Sequence, residues 1–148
     1  VIEVREEKSE FREPEIKPHG SLWNFIPFPF FGTVLLYCIL LFSLSSVSSF
    51  PAPSPFAFFD KIVHFFLFAG LSTVIALGLQ QAKHQYSSKM LLLIPVSFSV
   101  LYGLSDEIHQ LAVPLRQFSA GDIAADAVGA TFAACFFLLV HQWKKLKR

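Results

Sequence analysis

The run Gly103-Leu104-Ser105-Asp106-Glu107-Ile108-His109-Gln110 places two carboxylic acids, an imidazole and a carboxamide together at the end of a long apolar block. Two further polar groups, Asp60-Lys61 with His64 and Asp122 with Asp126, are also set into apolar surroundings. Carboxylates beside histidine can hold a divalent cation or exchange protons with a substrate. Arg116, lying between Gln110 and Asp122, carries a guanidinium that can orient an anion. The spacing within each group suits one helical face. Asp60 and His64 stand at i, i+4, and Asp106, His109 and Gln110 at i, i+3, i+4. Asp122, Asp126 and Gly129 follow at i, i+4, i+7, with Ala133 extending a stripe of small residues that lets a neighbouring helix come close.

The surroundings determine what can position these residues. In 148 residues, 53% are hydrophobic, and they come in long uncharged blocks that a soluble domain does not need. A net charge of +1, with no basic stripe interleaved with aromatics, gives no case for nucleic-acid binding. The expected fold is all-α, a multi-pass membrane protein with a bundle of four transmembrane helices. The first block runs from Phe30 to Ser49, 20 residues without a charge, enough to cross a hydrocarbon core about 30 Å thick. Pro51-Ala52-Pro53-Ser54-Pro55 then stops the chain in a stiff turn. A second helix is expected over Asp60–Leu79 and a fourth over Asp122–Val140. The third block is uncharged only from Met90 to Ser105, too short for a crossing, so its helix is expected to continue through Asp106 to Gln110. Residues 1–26 read as a charged, disordered tail, 27–142 as the membrane domain and 143–148 as a basic tail. Cys38 and Cys135 read as small buried apolar side chains, not a disulfide pair.

Ten Lys and Arg fall in the N-terminal tail, the loop between helices 2 and 3, and the C-terminus. Lys61 and Arg116 alone fall on the other side. Both termini are therefore expected in the cytoplasm, with Trp23 and Trp143 at the inner boundary. This topology gathers the start of helix 2, the end of helix 3 and the start of helix 4 at the outer face. Five acids (Asp60, Asp106, Glu107, Asp122 and Asp126) then meet two cations, and histidines, protonation or a bound cation must balance the rest. Simpler roles exist for several of these residues. Asp60 can cap helix 2, Ser119-x-x-Asp122 has the form of a capping box, Lys61 can snorkel to the interface, and His64 can be a hydrogen-bonded bundle residue.

In their order along the chain, three motifs resemble the VanZ-like family of small bacterial integral membrane proteins. They are Asp60-Lys61-x-x-His64-Phe65, Asp106-Glu107-Ile108-His109-Gln110, and Arg116 followed by Asp122-Ile123-Ala124-Ala125-Asp126-Ala127-Val128-Gly129. The resemblance spans Phe30 to Val140, and many members carry Asn where this chain has Asp126. It implies a multi-pass protein of the bacterial cytoplasmic (inner) membrane with an envelope role. The family takes its name from a protein linked to glycopeptide resistance, so any link to antibiotic resistance is by resemblance only.

On this basis Asp106, Glu107, His109 and Asp126 are the candidate catalytic residues. Asp60, Lys61, His64, Gln110, Arg116 and Asp122 are the candidate binding residues. The reading is an outer-leaflet polar site that binds or acts on a lipid-linked or phosphate-bearing envelope molecule, among membrane lipids, in a monomer or an oligomer. A bound divalent cation is compatible with it, while no HExxH or similar motif specifies a metal. Two alternatives stand beside this reading: a small proton- or cation-coupled transporter, which would need to dimerise, and a non-enzymatic structural or interaction protein whose polar cluster locks the helices.

Overall fold

The computed structural model describes residues 28–48, 58–82 and 86–147. The charged tail, Trp23, the Pro51–Pro55 turn, Lys83 and Arg148 lie outside them. The described chain forms four helices: α1 (Phe28–Ser45), α2 (Phe59–Gln81), α3 (Ser88–Gln110) and α4 (Ala120–Leu146). No strand occurs among the described residues. α2, α3 and α4 are long and apolar enough to cross a membrane, and α1 is an apolar but shorter helix.

Local sequence accounts for most of the helix ends. The Ser87 hydroxyl accepts the Met90 amide and starts α3. As expected, α3 runs on through the acids to Gln110. α1 stops at Ser45, short of the expected Ser49, and the Ser43 and Ser46 hydroxyls donate back to the carbonyls of Ile39 and Phe42. α4 continues past Val140 to Leu146, because His141-Gln142-Trp143-Lys144-Lys145 contains no breaker and its lysines suit the negative end of the helix. Asp60 does not cap α2. Phe58 occupies that position with φ 74° and no side-chain bond, and Asp60 lies inside the first turn.

Neighbouring ends define the topology. Ser46, just past α1, reaches His109 near the end of α3, and Lys61 near the start of α2 reaches Asp122 at the start of α4. At the other end Gln80 meets His141. α1 and α3 therefore point one way and α2 and α4 the other. The apolar core, Leu41, Phe68, Leu71, Ile75, Leu79 and Leu91, lies where α1, α2 and α3 meet. Two tyrosines fasten α1 to this core by donating to helix carbonyls: Tyr37 to Leu67 at 2.9 Å and Tyr102 to Cys38 at 2.6 Å. Leu36, Phe66, Leu101, Phe132, Phe136 and Leu139 face outward, as a bundle solvated by lipid chains requires. Cys135 also faces outward, contrary to its expected burial, and both cysteines are free.

α2 and α4 form the most extensive pairing. Its close approach rests on Gly129, where a Cβ would overlap the Phe65 backbone carbonyl. Next to it on α4, the Ala130 carbonyl accepts from the buried Ser72 hydroxyl of α2 at 2.9 Å. Backbone cannot move aside as a flexible side chain can, so Gly129→Ala is expected to lower stability by about 1–3 kcal/mol. Gly32→Ala, whose Cβ meets nothing within 4 Å, is expected to be neutral or to stabilise by up to about 1 kcal/mol. Thermal unfolding in detergent reads both, and equal midpoints for the two variants would contradict the close α2–α4 contact.

Candidate functional site

The start of α2, the end of α3 and the start of α4 bring His64, Glu107, Asp122 and Asp126 together. Glu107 and Asp126 are fully buried at 0% exposure, and Asp122 is buried at 6%. On α3 the buried face is Ser99, Gly103, Asp106, Glu107 and Gln110. His109 lies roughly a third of a turn from the centre of that face. It turns instead toward α1, where its Nε2 stands 3.1 Å from the Ser46 hydroxyl and its ring packs on Phe42 at 4.4 Å. The expected grouping of Asp106, His109 and Gln110 is therefore split. Asp106 and Gln110 pair inside the bundle at 3.2 Å, and Glu107 takes the place toward His64.

Each buried carboxylate has a different partner. Asp126 Oδ1 stands 2.9 Å from His64 Nδ1, a contact joining α4 to α2. Its other oxygen, Oδ2, rests against Gly103 of α3, where a Cβ would collide with it, and it has no hydrogen-bond partner among the described residues. Asp122 Oδ1 accepts from Lys61 Nζ at 2.8 Å, and the same ammonium reaches the more exposed Asp60 at 3.3 Å. Lys61 is thus an ion-pairing residue between two helices and not simply a snorkelling one.

Glu107 completes a cap that the sequence places within one segment. The Ser119 hydroxyl accepts the Asp122 amide at 3.3 Å, which is half of the expected capping box. The reciprocal half would use the Asp122 side chain to accept the Ser119 amide. Glu107 Oε2 from α3 accepts that amide instead, at 2.7 Å, and Asp122 is left to pair with Lys61. Glu107 Oε1 remains buried with no hydrogen-bond partner among the described residues.

Arg116 lies in the α3–α4 connection. Its Nε donates to the Val47 carbonyl at 3.3 Å, tying this connection to the end of α1. The preceding Leu115 has φ 66°, a conformation costly for a branched side chain. Sequence reasoning missed Gly103 as the seat of Asp126, Ser46 as the partner of His109, and Glu107 as half of the α4 cap. Gly103 was within reach, since it precedes Asp106 and Glu107 by three and four residues on one helical face. The other two depend on tertiary contact.

The set can bind a cation or relay a proton. One ligand atom from each of His64, Glu107 and Asp122 lies within 4.8 Å of the others. A family model described as VanZ/LLP1 matches residues 3–141 and so reaches further toward the N-terminus than the motif resemblance from Phe30. No curated protein and no solved structure matches the chain.

A buried hydrogen-bonded pair of ionisable groups is costly to break on one side only. His64→Leu and Asp126→Leu are each expected to destabilise by about 3–5 kcal/mol, since each leaves a buried polar partner uncompensated. The double variant is expected to lose much less than the sum. A double-mutant cycle of unfolding in detergent measures the coupling, and simple additivity would show that the contact carries no energy.

Proposed function

Because the chain belongs to the VanZ/LLP1 family, we propose that it is a bacterial cytoplasmic-membrane protein whose polar site binds or acts on a lipid-linked, phosphate-bearing envelope molecule. In this reading α1 is a fourth crossing, both termini are cytoplasmic, and the site lies in the outer leaflet. Lys89, Lys144, Lys145 and Lys147 at the opposite end from the acids support this orientation.

The observation that carries the reading is the pair of buried carboxylate oxygens, on Glu107 and Asp126 beside His64, that have no hydrogen-bond partner among the described residues. Ionisable groups at such depth that serve packing alone are normally paired. Glu107, Asp126 and His64 are the groups for proton transfer, Lys61 lies at the site as a cation for a phosphate, and Arg116, on the strap to α1, is a second cation at the same end of the bundle. An open apolar groove of about 410 Å³ between α2 and α4 suits a lipid chain. It begins at Phe65, the residue after His64, and continues along Phe66, Gly70, Phe132, Phe136 and Val140. Asp106 with Gln110 lies on the inner face of α3, and His109 serves the α1 side.

A second reading has its own support: the bonds of Lys61 to Asp122, His64 to Asp126 and Glu107 to Ser119 all join different helices, as a structural lock would. The two are separated by native mass spectrometry of the purified protein with polyprenyl phosphate and with phosphatidylcholine of similar size. The proposed function expects selective retention of the phosphate lipid, weakened at least about tenfold, or 1.4 kcal/mol, in Lys61→Ala and Arg116→Ala. Equal retention of both lipids, with variants that lose only stability, would leave the structural lock.

A further inference from the structure

We infer that His64, Glu107 and Asp122 form a binding site for a divalent transition-metal cation, with Asp126 as the residue that orients the histidine. The inference deepens the proposed function by assigning a cation to the same site, where it would face the phosphate.

Three observations converge on it. The first is proximity: one ring nitrogen and two carboxylate oxygens, from three different helices, lie within 4.8 Å of one another. Ligand atoms around Zn²⁺, bound at roughly 2.0–2.2 Å, stand about 3–3.5 Å apart, so small side-chain movements close the set. The second is how the remaining atoms of these residues are used. Asp126 engages His64 Nδ1, which leaves Nε2 as the ring nitrogen available to a cation, the arrangement in which a carboxylate fixes the tautomer of a ligating histidine. The Ser119 amide holds Glu107 Oε2, and Lys61 holds Asp122 Oδ1. Each ligand is thus anchored through one atom and keeps another. The third is the fully buried Glu107 Oε1, which no hydrogen bond among the described residues satisfies. A buried carboxylate oxygen without a donor calls for a cation or a proton.

The donor set narrows the choice of ion. One imidazole with two carboxylates suits Zn²⁺ or Mn²⁺ better than Mg²⁺, which favours oxygen and retains its waters. Three protein ligands leave a coordination position for a ligand oxygen, as catalytic sites have and structural sites lack.

The test is Zn²⁺ and Mn²⁺ titration of the full chain in detergent after chelator treatment, read by bound metal per chain and by thermal midpoint. The expected result is one ion per chain with a raised midpoint. Affinity should fall at least about 100-fold in Glu107→Gln and Asp122→Asn, and about 10–100-fold in Asp126→Asn. His141→Ala, at the far end of the bundle, should leave it unchanged. X-ray absorption on the metal-loaded wild type needs no variant to fold, and it should report a light-atom nitrogen/oxygen shell with the outer-shell scattering of a single imidazole. Three results would overturn the inference: no stoichiometric metal, unchanged affinity in Glu107→Gln, or a protonated Glu107 carboxyl seen by infrared difference spectroscopy in metal-saturated protein. Retention of polyprenyl phosphate is measured separately on chelated protein, so loss of the metal site and loss of the lipid reading are distinct results.

Discussion

Carboxylates packed into the end of an apolar bundle must find donors there, because lipid offers none and the desolvation of an isolated charge far exceeds what packing returns. That requirement dictates how α2, α3 and α4 meet. Asp106 and Asp60 have partners on their own helices, Gln110 and Lys61, but the three acids at the centre do not. Asp126 of α4 needs His64 of α2, Asp122 of α4 needs Lys61 of α2, and Glu107 of α3 needs the Ser119 amide ahead of α4. The helices are also close enough to make these bonds for steric reasons. Gly129 lets α4 rest on the α2 backbone, and Gly103 makes room on α3 for the Asp126 carboxylate. Small residues and polar partners are two sides of one arrangement: the first sets the separation and the second exploits it.

α1 stands outside this network and supports it from the side. It packs on α2 and α3, and the hydroxyls of Tyr37 and Tyr102 bridge to carbonyls across those contacts. Its end supplies the Ser46 hydroxyl to His109 and the Val47 carbonyl to Arg116. Two residues that share the acids' depth in sequence are thereby drawn to a separate flank. The polar end of the molecule has an inner carboxylate–histidine centre and an outer strap joining α1 to the α3–α4 connection.

Much of this was legible in the residues. Uncharged blocks located the helices, and the i, i+4 and i, i+7 spacings placed His64, Asp122, Asp126 and Gly129 on the faces they occupy. The extension of α3 through Asp106 followed from the length a crossing needs. What the sequence could not resolve was rotation. A face drawn through Asp106, His109 and Gln110 and one drawn through Asp106, Glu107 and Gln110 are equally periodic, and only the placement of α1 decides that His109 lies on the flank. The end of α4 was misplaced for a different reason. Loss of hydrophobicity after Val140 marks where lipid contact falls off, whereas a helix ends where its backbone is interrupted. The cap of α4 was half legible, since a local motif cannot reveal that Glu107 replaces its distal partner.

That shared cap bears on how the protein is assembled in a membrane. The first turn of α4 lacks an acceptor for the Ser119 amide until Glu107 arrives, and Glu107 lacks that donor until the amide is presented. The connection between them is short, from Leu111 to Ser119. α3 and α4 therefore suit insertion as a hairpin, each neutralising the other's exposed polar group before either meets α2. A translocation machinery handling α3 alone would meet Asp106 paired with Gln110 but Glu107 without its donor, so the biogenesis of this end of the bundle is a property of the pair.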